Sequence, residues 1–340
     1  MAACSIVNIP ARLPPVPPDA RMLGFTVLLL GALTACDTVQ RFRGGETAFS
    51  GDDALAYAHA QVAFGPRVPG TEAHRRAGDW IIEQMRSRAD TVIVDSWTHV
   101  TQTGARLPMR NVFARIRPEM QQRVLYLAHW DTRPTADNER NLGARQRPIP
   151  GANDGASGVA LLMALADALK KTPPTVGVDL LFVDGEDYGA FEDWSDTTKN
   201  KDVLIGARRF ADNLPDGYQP LFGVLFDMVG DASLQLYQEG HSASAAPEVV
   251  SRVWGAAKEL GYSKYFIPEV GGAITDDHLP LIRAGLRVID VIDMDYCSDG
   301  GTQCQGTERN LHHTYGDTID RISARSLKIV GDVALTLVTR

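Results

Sequence analysis

Two things are missing from this 340-residue chain: any basic run, and any apolar run of the length that a bilayer-spanning helix demands. Lys and Arg number 34 against 42 Asp and Glu, a formal charge of -8. A nucleic-acid surface needs clustered cations to replace counterions, so that class of partner is excluded. Cysteine is scarce, with four residues, and no His or second Cys pair lies at zinc-finger spacing from the two in the carboxy-terminal loop. No internal repeat and no second compositional regime interrupt the chain, which therefore reads as one domain. With 22% charged and 44% hydrophobic residues, its composition is that of an ordinary globular protein long enough for one large α/β domain.

The longest apolar stretch, LGFTVLLLGALTA from Leu23 to Ala35, has the length of a signal-peptide h-region. Cys36 follows it at once. Leu33-Thr34-Ala35-Cys36 resembles the bacterial lipobox, in which small residues admit the signal peptidase and the Cys is acylated. The plainer alternative is an ordinary secretory signal with an incidental Cys. The expected organisation is a signal peptide over residues 1–36 with a lipobox-like end, a linker over 37–50 and a catalytic domain over 51–340. Met22 is the expected start of translation, since residues 1–21 are Pro-rich and resemble nothing folded. The chain is thus expected to be exported, lipid-anchored to the bacterial cell envelope through Cys36, in contact with membrane only through that lipid, and a monomer. Cys297 and Cys304, in the Gly-rich loop DYCSDGGTQCQG, are the expected disulfide of an oxidising compartment.

Periodicity predicts helices from about Asp52 to Val62 and Glu72 to Arg88, followed by strands at TVIVDSWTHV, MRNVFARI and RVLYLAH, rich in β-branched and aromatic residues. Helices over Gly155 to Lys171, Asp202 to Asn213 and Pro247 to Leu260 then alternate with apolar runs at VGVDLLFVD, LFGVLFDMVG and LRVIDVID. A last helix covers Ile322 to Thr339. Such alternation predicts a single-domain α/β fold whose mostly parallel central sheet carries helices on both faces.

In open α/β sheets ligands bind beyond the carboxyl ends of the strands. Those positions hold His129 and Asp131, Glu186 and Asp187, Asp227, and His312 with His313. Asp154 opens a helix inside a turn whose Gly151, Gly155 and Gly158 allow close approach. Taken singly, each has a plain reading: a strand-end His is commonly structural, and an Asp opening a helix is commonly an N-cap. Asp184, Glu186 and Asp187 crowd three carboxylates into four residues, which suits either a solvated turn or a cation. Together they supply the N and O donor set that zinc prefers, and a metal site is the expectation.

The segments HWD, GANDGASG, DGED, FDMVGD and HHTYGDT resemble, in order and spacing, the motifs of zinc-dependent exopeptidases of the aminopeptidase type, over about Ala54 to the end. The resemblance implies a zinc-exopeptidase (phosphorylase/hydrolase-like) fold. Asp154 is then the central carboxylate ligand, Asp187 and His313 complete one zinc, and His129 and Asp227 hold a second if it is present. Glu186 is the implied general acid/base, and Asp131 orients a neighbouring ligand. The glutaminyl cyclases, the bacterial ones especially, are the branch most similar. The features are Asp187 after Glu186, the acidic insertion YGAFEDWSDTTKNKD with Trp194 as a pocket residue, and Thr275-Asp276-Asp277-His278-Leu279-Pro280, with Asp276 in the proton network. His312 stands where those enzymes usually carry a pocket Trp, and three readings stay open for it: pocket residue, alternative ligand, or surface neighbour of His313. Trp194 also reads as a loop anchor, and Asp276 and Asp277 as a solvated pair.

The function so implied is a glutaminyl-peptide cyclotransferase, an acyltransferase acting on the amino termini of peptides or proteins. Zinc polarises the Gln side-chain amide and Glu186 shuttles the proton. A metalloaminopeptidase, in which Glu186 deprotonates a water held between two zinc ions, uses the same ligands and is the alternative. A binding lipoprotein on a retired enzyme fold would have lost Glu186 or a ligand, and none is lost.

Overall fold

The structure, a computed structural model, describes residues 47–189 and 200–340. From Thr47 onward they form one compact unit. Helices α1 (Gly51–Val62) and α2 (Glu72–Arg86) lead into strands β1 (Thr91–Val100), β2 (Arg106–Ile116) and β3 (Arg123–His129). Helix α3 (Ala156–Lys171), β4 (Gly177–Val183), α4 (Ile205–Asp212) and β5 (Phe222–Asp227) follow. Then come β6 (Leu236–Gln238), α5 (Gly240–Ala245), α6 (Pro247–Glu259), β7 (Phe266–Val270), α7 (His278–Arg283), β8 (Val288–Ile292) and α8 (Ala324–Thr339).

Six strands make the central sheet in the order β1-β2-β4-β3-β5-β8. The β3–β4, β3–β5 and β5–β8 pairs are parallel, whereas β1–β2 and β2–β4 are antiparallel. The sheet is therefore mixed and mostly parallel. Strands β3, β4 and β5 are buried along their whole length, as strands covered on both faces must be. Val124 and Tyr126 of β3 pack into the core beneath α1, α3 and α8, while Leu125 and Leu127 face Phe210 of α4 and Leu281 of α7. Strand β1 departs from this pattern. Its residues alternate between exposed and half-buried, which marks an edge strand lacking cover on its outer side.

Local chemistry sets the helix starts. Ser50 and Thr71 accept hydrogen bonds from the Asp53 and His74 amides at the N-termini of α1 and α2, and Ser323 does the same for α8. Helix α4 begins at Ile205 rather than Asp202, because Leu204 adopts a left-handed conformation with φ of 51°. Phe49 and Ser50, assigned by the sequence to the linker, belong to the domain: Phe49 is buried against α8, where a Cβ on Gly331 would lie 2.2 Å from its ring. Sequence periodicity missed β6, β7, α5 and α7, since three to six residues, with Pro268 inside β7, are too few to show a period.

Candidate active site

Register brings the carboxyl ends of the parallel strands to one edge: His129 pairs with Val183, and Asp227 with Ile292. Beyond Val183 the chain enters Asp184-Gly185-Glu186-Asp187, and all three acids are buried, so this is no solvated turn. The carbonyls of Asp184, Gly185 and Glu186 accept from the amides of Gly206, Ile205 and Leu204 at 2.7, 3.0 and 3.0 Å. Asp131 accepts the Glu186 amide on one oxygen and the Asp187 amide on the other, at 3.1 and 3.2 Å. Asp184 turns back into the protein, 2.8 Å from His74 Nε2, and accepts the Arg110 amide. Glu186 and Asp187 are left to face a cleft of about 270 Å³, shared with Asp154, Asp227, Asp276, His312 and His313.

The Asp154 turn is fixed from two sides. The buried Arg67 donates to the carbonyls of Trp130, Pro150 and Gly151, and Asp317 accepts the amides of Asn153 and Asp154 at 2.7 and 3.2 Å. Close approach requires the glycines. A Cβ on Gly155 would lie 2.4 Å from His129 Nε2, and one on Gly158 would lie 2.2 Å from the Phe226 carbonyl oxygen.

Two donor groups share Asp154. Its Oδ1 lies 3.1 Å from His129 Nε2, which is also 3.2 Å from Asp227 Oδ1. Its Oδ2 lies 3.6 Å from His313 Nε2, which is in turn 3.2 Å from Asp187 Oδ1. The His312 ring packs against that of His313 with centroids 3.6 Å apart and planes tilted by 34°, and its Nε2 lies 3.8 Å from Asp154 Oδ2. The ligand atoms of Asp154, His312 and His313 fall within 4.8 Å of one another, as do those of His129, Asp154 and Asp227. Asp154 Oδ2 and Asp187 Oδ2 are buried without a hydrogen-bond partner. Orphaned carboxylate oxygens beside imidazole nitrogens fit a bound zinc ion. His129 Nδ1 lies 3.5 Å from Asp131, an arrangement suited to fixing its tautomer.

Electrostatics separates the carboxyls. Burial and the Asp187 and Asp276 carboxylates push Glu186 well above the usual range, and burial with Asp227 and Asp277 does the same to Asp276. Burial would raise Asp187 too, but His313 and Arg133 hold it below its ordinary value. Arg133 Nη1 lies 2.7 Å from Asp187 Oδ1. The two neighbouring carboxyls are thus shifted in opposite directions, Glu186 up and Asp187 down. Proton carriers and metal ligands have these respective properties.

Of the residues singled out from the sequence, His129, Asp131, Asp154, Glu186, Asp187, Asp227, Asp276, His312 and His313 meet at this edge. The Cys297 and Cys304 sulfurs are 2.09 Å apart in a disulfide. Trp194 and Cys36 lie outside the described residues. Sequence reading passed over Arg67, Arg133, Asp290 and Asp317. Asp290 did leave a signal, a carboxylate inside the otherwise apolar run VIDVI, which a buried strand tolerates only with a purpose. Arg133 left none, since its partner Asp187 is far along the chain.

Comparisons with known proteins agree with this geometry. The glutaminyl cyclase of Bacteroides thetaiotaomicron, solved with N-acetylhistamine bound, superimposes with a TM-score of 0.79 at 36% identity, covering 86% of this chain and 98% of that one. A structure described as a leucine aminopeptidase precursor from the same species gives 0.78 at 36% identity, covering 86% and 97%. The bovine glutaminyl-peptide cyclotransferase is 27% identical over 291 residues, 75% of this chain and 76% of its own. The profile of peptidase family M28 matches residues 111–338, about two thirds of the sequence. The chain therefore belongs to the M28 family of zinc exopeptidases.

Proposed function

We propose that this protein is a zinc-dependent glutaminyl-peptide cyclotransferase, converting an amino-terminal Gln to pyroglutamate with release of ammonia. The observation that carries this reading is the pair Glu186 and Asp276, two buried carboxyls with raised pKa in the same cleft as Asp154, Asp187 and His313. The likeness to bacterial glutaminyl cyclases over most of the chain supports it.

Asp154, Asp187 and His313 would hold the zinc, with His312 beside them. When bound, zinc supplies Lewis-acid polarisation of the amide carbonyl. The chain's own residues do the rest. The cleft holds the Gln side chain folded back on its α-amine, so that ring closure becomes largely a matter of conformer selection. The α-nitrogen forms a bond to the side-chain carbonyl carbon while the bond from that carbon to the amide nitrogen breaks. Glu186 accepts the proton lost by the amine and delivers it to the departing nitrogen, which leaves as ammonia. Burial, with the Asp187 and Asp276 carboxylates nearby, keeps the Glu186 carboxyl pKa high enough for that return.

A second reading, a zinc aminopeptidase, is favoured by one feature: His129 and Asp227 complete a second donor group on the same Asp154. There Glu186 would take the proton of the attacking water. Mass spectrometry of a Gln-initiated and a Leu-initiated peptide with the zinc-loaded protein separates the two. Loss of ammonia at unchanged length from the Gln peptide alone is expected; release of free amino acid from either peptide means a peptidase.

We also propose export and lipid attachment at Cys36. The Cys297–Cys304 disulfide supports an oxidising compartment. Mass analysis of the amino-terminal peptide from membranes tests this: an unmodified or absent Cys36 with unprocessed upstream residues overturns it.

A further inference from the structure

A second cleft of about 360 Å³ adjoins the first. Ile274, Ile292 and Met294 line both, so one apolar wall runs from the ligand group into the neighbouring cavity. Two of its other walls come from β6 and β7, and a third comes from the disulfide loop. Among the described residues its charged lining is of one sign: Glu239, Glu269 and Asp295, with no Lys, Arg or His. Glu239 and Asp295 are committed. Glu239 accepts the amides of His241, Ser242 and Ile274, and Asp295 accepts those of Cys304 and Gln305. Glu269 is exposed at the rim, and no partner for it exists among the described residues. Gln235, Gln303 and Gln305 add amides able to donate to and accept from a peptide backbone.

We infer that this cleft is the subsite for the residues that follow the substrate's amino-terminal residue, and that it selects a Lys or Arg side chain there through Glu269. The inference rests on reading the first cleft as a site for peptide amino termini. The shared Ile274–Ile292–Met294 wall leads from the first cleft into this cavity, whose lining includes the exposed Glu269 and Val270. Glu239 also meets His278 Nε2 at 3.2 Å, which leaves the exposed, unpartnered Glu269 as the acid placed to attract a cationic side chain and disfavour an acidic one.

The test is a series of Gln-initiated hexapeptides, otherwise Ala, with Lys or Glu placed in turn at positions two to five, assayed with the zinc-loaded wild-type protein and Glu269→Gln. At one position Lys should exceed Glu in kcat/KM by about three- to tenfold, the size of a partly solvated charge pair. That ratio should collapse in Glu269→Gln and in high salt, while both proteins turn over the dipeptide amide Gln-Ala-NH2 equally. A flat series in the wild type, or a ratio that survives Glu269→Gln, overturns the subsite although the dipeptide is still cyclised. If the dipeptide is not cyclised and the same hexapeptides begun with Leu in place of Gln release Leu, the cyclase reading fails instead. The same Lys-to-Glu ratio, read from released Leu, then decides the subsite.

Discussion

Asp154 and His313 are the two residues on which the donor group turns: Oδ2 of the first lies 3.6 Å from Nε2 of the second, while Oδ1 of the same carboxylate lies 3.1 Å from His129. One side chain thus belongs to both donor groups. Replacing Asp154 by Asn keeps the size and one oxygen but removes the charge that balances two imidazoles and a cation. Asp154→Asn is expected to lose bound zinc altogether, whereas Asp227→Asn touches only the His129 group and should leave at least one equivalent. Elemental analysis of the purified variants checks this, and equal zinc content in the two would refute the shared-ligand arrangement.

Glu186 differs from Asp154 in belonging, among the described residues, to neither donor group. Glu186→Gln should cut kcat by about a hundredfold or more, the usual range for a general acid/base, with zinc content unchanged. Steady-state kinetics beside metal analysis provides the check. Loss of metal together with activity would show that the residue is a ligand.

Chelated protein should become less stable as pH rises from about 5 to 8. Burial and the Asp154 carboxylate raise Asp317 to about 7, and burial with the Asp131 and Asp227 carboxylates raises Asp277 to about 8 against the pull of His129. A carboxyl whose folded pKa exceeds its unfolded value, about 4, binds more protons folded than unfolded between the two, so stability falls as pH rises through that window. Thermal melts with excess chelator at pH 5.5 and 8 should give the lower Tm at pH 8. Added zinc should narrow the gap by neutralising the same cluster. A higher Tm at pH 8 in the chelated protein would contradict these shifts.

Phe49 lies at the start of the domain, yet its ring is buried against Gly331 of α8. Phe49→Ala should cost about 3 kcal/mol, as expected for truncating a buried aromatic ring. A chain shortened to begin at Gly51 should lose as much and also the Ser50 cap of α1. Denaturant unfolding of chains beginning at Thr47 and at Gly51 measures the difference, and equal midpoints would mean that the segment does not pack.

Much of this protein was already determined by its sequence. Strands such as RVLYLAH and VDLLFV declare themselves because burial on two faces demands unbroken apolar residues, and the acids and histidines that follow them stand out for the same reason. Asp154, Asp187, His313, His129 and Asp227 could thus be named as candidate donors, a set that the motif resemblance also implies. Tertiary structure decided what depends on residues distant in sequence. It turned Asp184 toward His74 and away from the cleft that Glu186 and Asp187 face. It brought Arg133 to Asp187 and, by burial beside other carboxylates, raised the Glu186 pKa. It also built the second cleft from β6, β7 and the disulfide loop, elements too short to show a period. A carboxyl group's protonation and direction are set by the charges and amides that folding brings within a few ångströms, and local sequence does not encode those neighbours.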